Sequence, residues 1–126
     1  MTKVLIVEDN EKNMKLVRDI LQHLGHRTIE ASDGLEGVRL ALAETPDLIL
    51  MDIQLPGIDG MEALRRIRAE PRLDAVPVLA VSASVMPSEQ QKIASSGFDA
   101  FIAKPIDLKQ FRDAVSRFLS VGRAAP

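Results

Sequence analysis

The sequence predicts an α/β fold in which a parallel sheet of five strands is covered by helices on both faces. Four short runs of the chain are apolar at successive positions, which is typical of strands that are buried on both sides. Segments with a helical spacing of apolar residues separate these runs, so that strand and helix alternate five times. Because crossover connections between parallel strands are right-handed, this alternation indicates a single sheet.

The strand order follows from the position of the most polar strand. The apolar runs at residues 4–7, 48–51, 78–81 and 101–103 are predicted to be buried strands. Arg27–Ala31 alternates and contains fewer apolar residues, which suits a strand at the sheet edge with one wetter face. An order of 2-1-3-4-5 places this second strand at the edge and the most apolar strands in the middle.

Five helices are predicted, and residues that stop or start helices mark their ends. The first four end at or before Gly25, Pro46, Pro71 and Gly97. The fourth begins at Pro87, and Asp107 caps the fifth. The predicted apolar faces are Met14, Val17, Leu21 and Leu24 in the first helix, Leu35, Val38, Ala41 and Leu42 in the second, Met61, Leu64 and Ile67 in the third, and Leu108, Phe111, Val115 and Phe118 in the fifth.

Length and composition limit the classes of protein to which this chain can belong. A chain of 126 residues has the size of one compact domain, so we predict a single domain over residues 1–120 and a frayed tail at residues 121–126. The formal net charge of −2 is too small to hold nucleic acid by charge alone, so direct DNA binding is not expected. The absence of cysteine excludes disulfides and thiolate chemistry, and it fits a reducing, cytoplasmic location.

Neither secretion nor membrane insertion is expected. Residues 1–3 run straight into the apolar residues 4–7, whereas a signal peptide would need an apolar stretch roughly twice as long. The longest apolar runs also fall far below the ~20 residues that a membrane-spanning helix requires. We therefore expect a soluble protein.

Polar side chains follow the buried strands at the points where these strands end. Glu8 and Asp9 follow the first strand, and Asp52 ends the third. Ser82 follows the fourth strand, and Lys104 follows the fifth. Because the carboxyl ends of parallel strands meet at one edge of a sheet, we expect three carboxylates, one hydroxyl and one ammonium group to converge there.

This group of side chains favours phosphoryl chemistry beside a divalent metal ion. Three neighbouring carboxylates raise one another's pKa unless a cation neutralises them, and an all-oxygen ligand set favours Mg²⁺ over Zn²⁺. Asp52 can be both a metal ligand and a nucleophile that forms an acyl phosphate. Lys104 would neutralise the remaining charge. Ser82 can donate a hydrogen bond to a phosphoryl oxygen, and Ala83 leaves room for that group.

Each of these residues also has a simpler interpretation. Glu8 and Asp9 could be solvated acids that contribute to the start of the first helix, and Asp52 could cap a turn before Pro56. A carboxylate directly after a buried apolar strand is costly without a partner, however. The convergence of the three acids therefore favours a site.

Five motifs of the chain resemble those of two-component response regulator receivers. They are Glu8-Asp9-Asn10, LILMDI at residues 48–53, LPGIDG at residues 55–60, Val81-Ser82-Ala83 and Lys104-Pro105. Because all five occur in the right order and spacing between Lys3 and about Leu119, the chain is identified as a member of this family. The resemblance implies a flavodoxin-like receiver fold.

The resemblance also implies roles for individual residues. Asp52 would be the phosphoacceptor, and Mg²⁺ would be held by Glu8, Asp9, Asp52 and the backbone carbonyl of Gln54. Ser82 would be the hydroxyl switch residue and Phe101 the aromatic switch residue, although a strand phenylalanine is equally well explained by core packing. The Lys104–Pro105 peptide bond would be cis.

The leading functional hypothesis is a signalling protein that takes a phosphoryl group from a histidine kinase or a phosphotransfer protein and changes its contacts with a downstream target protein. The motifs around Glu8 and Gln54 resemble those of stand-alone regulators of bacterial cell division and cell fate, and those of hybrid-kinase receivers. Leu16 and Ile20 would form a docking patch for a kinase helix or simply extend the core packing of the first helix.

Three other functions fit the sequence less well. A Mg²⁺-dependent phosphohydrolase would carry a second acid where this chain has Gln54, so we expect no enzyme activity beyond slow self-dephosphorylation. A pseudo-receiver would have lost acids or the lysine, which this chain retains. Flavin binding would need a phosphate-binding loop after the first strand, where Glu8 and Asp9 would repel the anion.

Overall fold

A computed structural model describes residues 2–83 and 86–123 of the chain. Its sheet has five parallel strands, β1 (Lys3–Val7), β2 (Arg27–Ala31), β3 (Leu48–Asp52), β4 (Val78–Ser82) and β5 (Ala100–Ala103). The strand order is β2-β1-β3-β4-β5, which confirms the predicted order and the edge position of the polar strand.

Five α-helices connect and follow the strands, and a short 3₁₀ helix at Pro71–Leu73 lies before β4. The α-helices are α1 (Glu11–His23), α2 (Gly34–Glu44), α3 (Gly60–Arg68), α4 (Pro87–Ser95) and α5 (Leu108–Val121). Four of them begin after a side chain that accepts a hydrogen bond from the backbone amide three residues later. These capping residues are Asn10, Asp33, Asp59 and Asp107.

The sheet separates two apolar cores, because successive side chains of a strand point to opposite faces. Leu48 and Leu50 of β3 belong to the core beneath α1 and α5. Ile49 and Met51 belong to the core beneath α2, α3 and α4. All five residues of β3 are buried, which explains why this strand is apolar throughout until its final aspartate.

Two leucines that were predicted on apolar helix faces are exposed instead. Leu35 is 55% exposed, because the small residues Gly34, Gly37 and Ala41 form the buried face of α2. Leu108 is 53% exposed in the first turn of α5, where the helix has not yet reached the core.

The structure describes residues 121–123 of the predicted tail. Val121 is the last residue of α5, and Arg123 donates hydrogen bonds to the carboxylate of Asp99 and the carbonyl of Asp74. Residues 124–126, which were also placed in the tail, lie outside the described residues. Within the described part of the chain, no helix has the length and apolar character to cross a membrane.

Candidate functional site

The carboxyl ends of β1, β3 and β5 bring two acids and a lysine into contact. Asp52 is the last residue of β3, Glu8 follows β1 and Lys104 follows β5. The Nζ atom of Lys104 donates hydrogen bonds to Glu8 Oε1 at 2.8 Å and to Asp52 Oδ2 at 3.0 Å. The two carboxylates are only 5% and 6% exposed, so the ammonium group neutralises charge that the fold has removed from water.

Asp9 completes a group of acids that can hold a metal ion. Glu8, Asp9 and Asp52 each offer one carboxylate oxygen, and these oxygens lie within 4.8 Å of one another. Glu8 and Asp52 are buried whereas Asp9 is exposed, so the group opens to solvent on one side. Three carboxylates face one ammonium group, and the excess negative charge and hard oxygen donors fit a divalent cation such as Mg²⁺.

The pKa values of the buried groups reflect this crowding. Burial raises the pKa of Glu8 above its ordinary value, and the neighbouring Asp52 raises it further, while the hydrogen bond from Lys104 opposes both effects. Burial lowers the pKa of Lys104, but its hydrogen bonds to Glu8 and Asp52 outweigh burial and leave the pKa raised. Lys104 is therefore protonated at neutral pH.

Backbone amides fix the orientation of the two buried carboxylates. The amide of Gln54 donates to Asp52 Oδ1 at 3.1 Å, and the amide of Asn10 donates to Glu8 Oε2 at 3.1 Å. Both donors lie two residues after the acid that they contact. The backbone just beyond β3 thus orients the carboxylate of Asp52, and the backbone just beyond β1 orients that of Glu8. Gln54 itself lies at the same edge of the sheet.

An open cavity of about 650 Å³ lies over this group of residues. The predicted site residues that line it are Glu8, Asp9, Asp52, Gln54, Ala83 and Lys104. Its walls also include residues to which the sequence analysis gave no role in the site, namely Asn10, Asn13, Asp59, Met61, Glu89, Lys92 and Ile93. The two asparagines could have been predicted, because they lie at the start of the helix that follows β1. No sequence pattern indicated that side chains of α4 line the cavity.

The two predicted switch residues, Ser82 and Phe101, are not among the described residues that line the cavity. Ser82 is buried at the end of β4 and, among the described residues, is not part of the cavity lining. Its carbonyl accepts a hydrogen bond from the amide of Lys104 at 2.9 Å, which ties the ends of β4 and β5 together. Phe101 is partly buried and packs against the core beneath α2, α3 and α4. The Lys104–Pro105 peptide bond is cis, as predicted.

The chain matches known proteins over nearly all of its length. The family model for the response regulator receiver domain matches residues 4–116. The polar-differentiation response regulator DivK of Brucella ovis is 44% identical over 120 residues, which cover 94% of this chain and 98% of that protein. The DivK protein of Brucella anthropi is 43% identical over 116 residues, covering 92% and 94%.

Solved structures show the same fold. The receiver domain of a sensor histidine kinase from Pseudomonas aeruginosa PAO1 has a TM-score of 0.88 and 32% identity, with 94% of this chain and 98% of that chain covered. That crystal structure has a magnesium ion coordinated in its active site cleft. The signal receiver domain of a histidine kinase from Syntrophus aciditrophicus has a TM-score of 0.89 and 31% identity, with 99% and 96% covered.

The geometry and the comparisons lead to the same family. The sheet order is the one predicted from the polar second strand, and the acids at the ends of β1 and β3 lie together with the lysine after β5. The match to the family model extends over all five strands. This chain therefore belongs to the response regulator receiver family of two-component systems, whose members act in general as phosphorylation-dependent signalling switches rather than as enzymes.

Proposed function

We propose that Asp52 accepts a phosphoryl group from a histidine kinase or a histidine phosphotransfer protein, and that this modification changes the contacts of the chain with a downstream target protein. The main support is the position of the Asp52 carboxylate. It is buried at the edge of the sheet, is hydrogen bonded to Lys104 and lies within 4.8 Å of two further carboxylates. A surface aspartate would need none of these partners.

Mg²⁺ is the proposed cofactor, and the residues present suit it. Glu8, Asp9, Asp52 and the backbone carbonyl of Gln54 would hold the ion. When bound, it would offset negative charge on the transferring phosphoryl group and on the acids. The related Pseudomonas receiver, which has magnesium in its active site cleft, supports this choice of metal.

In the proposed transfer, a carboxylate oxygen of Asp52 attacks phosphorus while the bond from phosphorus to the donor imidazole nitrogen breaks. The bonding electrons go to that nitrogen, and a proton on the other ring nitrogen makes the leaving histidine neutral. The second product is an acyl phosphate on Asp52. Lys104, whose Nζ lies 3.0 Å from Asp52 Oδ2, would move its hydrogen bond to a phosphoryl oxygen. Ala83 lines the cavity with a methyl group only and would leave space for the phosphoryl group.

Ser82 and Phe101 are the proposed switch residues. The Ser82 hydroxyl would donate a hydrogen bond to the new phosphoryl oxygen, and this would draw the end of β4 towards Asp52. Phe101 is paired in register with Ala80 of β4, so a movement of β4 reaches its backbone directly. Its ring is only partly buried and would turn further inward. The altered surface between β4 and α5 would then bind the target protein.

The likeness to DivK proteins supports a more specific proposal. We propose that residues 1–120 form a stand-alone receiver of the cell-division and cell-fate type, which acts in the cytoplasm without direct DNA binding. Leu16 is 46% exposed on α1 while Ile20 packs partly against the core. Of these two residues, Leu16 is therefore the more accessible to a docking kinase or phosphotransfer protein.

The proposed phosphoacceptor role can be tested by intact-protein mass spectrometry. Wild type and Asp52→Asn are incubated with Mg²⁺ and acetyl phosphate, and a parallel sample contains a metal chelator. We expect the mass of one phosphoryl group on wild type in the presence of Mg²⁺ and no addition to Asp52→Asn. A wild-type protein that gains no phosphoryl group would refute the proposal. Hydrolysis of many equivalents of acetyl phosphate would instead support the phosphohydrolase alternative.

A further inference from the structure

Two glycines bring helix N-termini against the backbone of the β3–α3 loop, which comprises residues 53–59. Gly60 is the first residue of α3, and a Cβ atom built there would lie 2.5 Å from the carbonyl oxygen of Asp52 and 2.9 Å from the Cα of Ile53. Gly34 is the first residue of α2, and its Cβ would lie 2.7 Å from the carbonyl oxygen of Ile58. Any side chain at either position would collide with the loop.

Gly60 and Gly34 have the two closest approaches among the glycines, and Gly37, where a Cβ would lie 2.8 Å from a side-chain atom of Val7, comes next. A Cβ at Gly25, Gly57 or Gly122 would meet nothing within 4 Å, and these glycines have positive φ angles. Gly34 and Gly60 do not have positive φ, so their backbones could accept alanine without conformational strain. The absence of a side chain is required by proximity to backbone atoms at Gly60, and by proximity to both the side chain and the carbonyl oxygen of Ile58 at Gly34.

The contacts of Gly60 also connect α3 to Asp52, the proposed phosphoacceptor. The amide of Gly60 donates to the carbonyl of Ile53 at 2.9 Å, which closes the loop at the end of β3. Within this closed loop, the amide of Gln54 donates to the Asp52 carboxylate. Since the atoms nearest to a Cβ at Gly60 are all backbone atoms, they cannot move aside by a change of rotamer. A displacement of α3 would therefore move the Asp52 and Gln54 backbones together.

We infer that Gly60, and Gly34 through Ile58, are positioning residues for the phosphoacceptor and the metal site. They allow α2 and α3 to begin directly against the β3–α3 loop, and this fixes the Asp52 carboxylate and the Gln54 backbone relative to Glu8 and Asp9. The inference rests on the proposed role of Asp52. It adds that the geometry of the site is determined by close backbone packing beneath it as well as by Lys104.

The test compares Gly60→Ala and Gly34→Ala with Gly25→Ala. Gly25 lies between α1 and β2 at the opposite edge of the sheet, and alanine there is strained by a φ of 91° but meets no neighbour. For each protein, Tm is measured by circular dichroism, the Mg²⁺ Kd by isothermal titration calorimetry, and the initial rate of phosphorylation by acetyl phosphate from intact mass. The last two are measured at a temperature where every variant is folded.

Gly60→Ala is expected to raise the Mg²⁺ Kd or slow phosphorylation by about tenfold or more, because small misplacements of reacting groups are costly. Gly34→Ala should have a smaller effect of the same kind, since it acts through Ile58. Gly25→Ala should lower Tm and change Kd and rate by less than about twofold.

Two results would overturn the inference. A folded Gly60→Ala protein with wild-type Kd and rate would refute it, and so would an equal loss of both in Gly25→Ala. If Gly60→Ala does not fold, Gly34→Ala decides by the same criteria. A wild-type protein that binds Mg²⁺ but takes up no phosphoryl group would refute the proposed function. In that case, the Mg²⁺ Kd values of the three glycine variants relative to wild type would still test the positioning role.

Discussion

Lys104 is hydrogen bonded to two carboxylates that the fold buries, so its ammonium group is central to the charge balance of the site. The ammonium group compensates for only part of the charge of Glu8, Asp9 and Asp52. Burial accordingly raises the pKa of Glu8 despite the hydrogen bond from Lys104. The folded chain thus retains a proton on Glu8 to a higher pH than the unfolded chain does.

This difference predicts the pH dependence of stability. Because the pKa of Glu8 is raised in the folded state, its contribution to the free energy of unfolding is fully present below its unfolded value, near 4.5. That contribution is lost as the pH rises through the raised pKa. Glu8→Gln removes the buried charge, so we expect this variant to have a higher Tm than wild type at neutral pH without metal.

Addition of Mg²⁺ should give wild type a higher Tm than Glu8→Gln. At about a hundred times its Kd, a bound ion stabilises wild type by about 2.7 kcal/mol, whereas Glu8→Gln has lost a ligand and should gain much less. Thermal melts with and without Mg²⁺ check both halves of the prediction. Glu11→Gln, at an exposed acid in the first turn of α1, is the matched control and should change little in either condition. A variant that is less stable than wild type in both conditions would contradict the account.

At the scale of secondary-structure elements, Asp99 joins four elements at the sheet edge opposite the site. Its carboxylate accepts hydrogen bonds from the amide of Val78 in β4 at 2.8 Å and from Arg68 of α3 at 3.1 Å. It also accepts one from Arg123, just after α5, at 3.0 Å. Asp99 itself directly precedes β5. The Arg68 side chain is only 17% exposed, so Asp99 neutralises a charge that is largely buried.

Asp99→Ala should therefore lower the free energy of unfolding by about 2–4 kcal/mol, because it leaves Arg68 without its carboxylate partner. Urea denaturation monitored by circular dichroism measures this change. Asp113→Ala removes an exposed acid of α5 and should shift the free energy of unfolding by less than about 0.5 kcal/mol. The Mg²⁺ Kd of folded Asp99→Ala should equal that of wild type. A stability loss no larger than in the control would show that the network contributes little.

At the scale of the whole molecule, the sheet places the proposed chemistry at one edge and structural contacts at the other. The acids and Lys104 lie at the carboxyl ends of the strands. The Asp99 network lies at the opposite ends of β4 and β5. These two strands therefore run directly from the candidate site to the Asp99 network. A structural response to phosphorylation should follow β4 and β5 more than the remote strand β2.

Hydrogen–deuterium exchange can locate this response. We expect phosphorylation of Asp52 to slow amide exchange several-fold in peptides that cover residues 78–103, because new hydrogen bonds to the phosphoryl group tie β4 to the site. Peptides from α1 to β2, residues 11–31, should change much less. Asp52→Asn treated with the same phosphodonor is the control and should show no difference. An evenly distributed change, or none, would argue against a directed switch.

Much of this molecule follows from local features of the sequence. The apolar runs predicted the buried strands β1, β3 and β4, and the polar character of Arg27–Ala31 predicted one edge strand. The run at residues 101–103 was wrongly predicted to be buried on both faces, because β5 is the other edge strand and only its Ile102 is buried. Asp107 and Gly25 marked helix ends through hydrogen bonding and backbone conformation that involve only neighbouring residues. Because the carboxyl ends of parallel strands share one edge, the convergence of Glu8, Asp52 and Lys104 could also be predicted.

Other features depended on distances between segments that are far apart in sequence, and only the tertiary structure decided them. The hydrogen bonds of Lys104 to Glu8 and Asp52 required side-chain positions that no local pattern contains. The approach of Gly60 to the Asp52 carbonyl arises from how closely the start of α3 lies against the end of β3. The contact between Asp99 and Arg68 depends on the position of β5 in the sheet. Sequence patterns specify which surfaces are apolar and where elements end, whereas the close contacts between elements are set by packing in three dimensions.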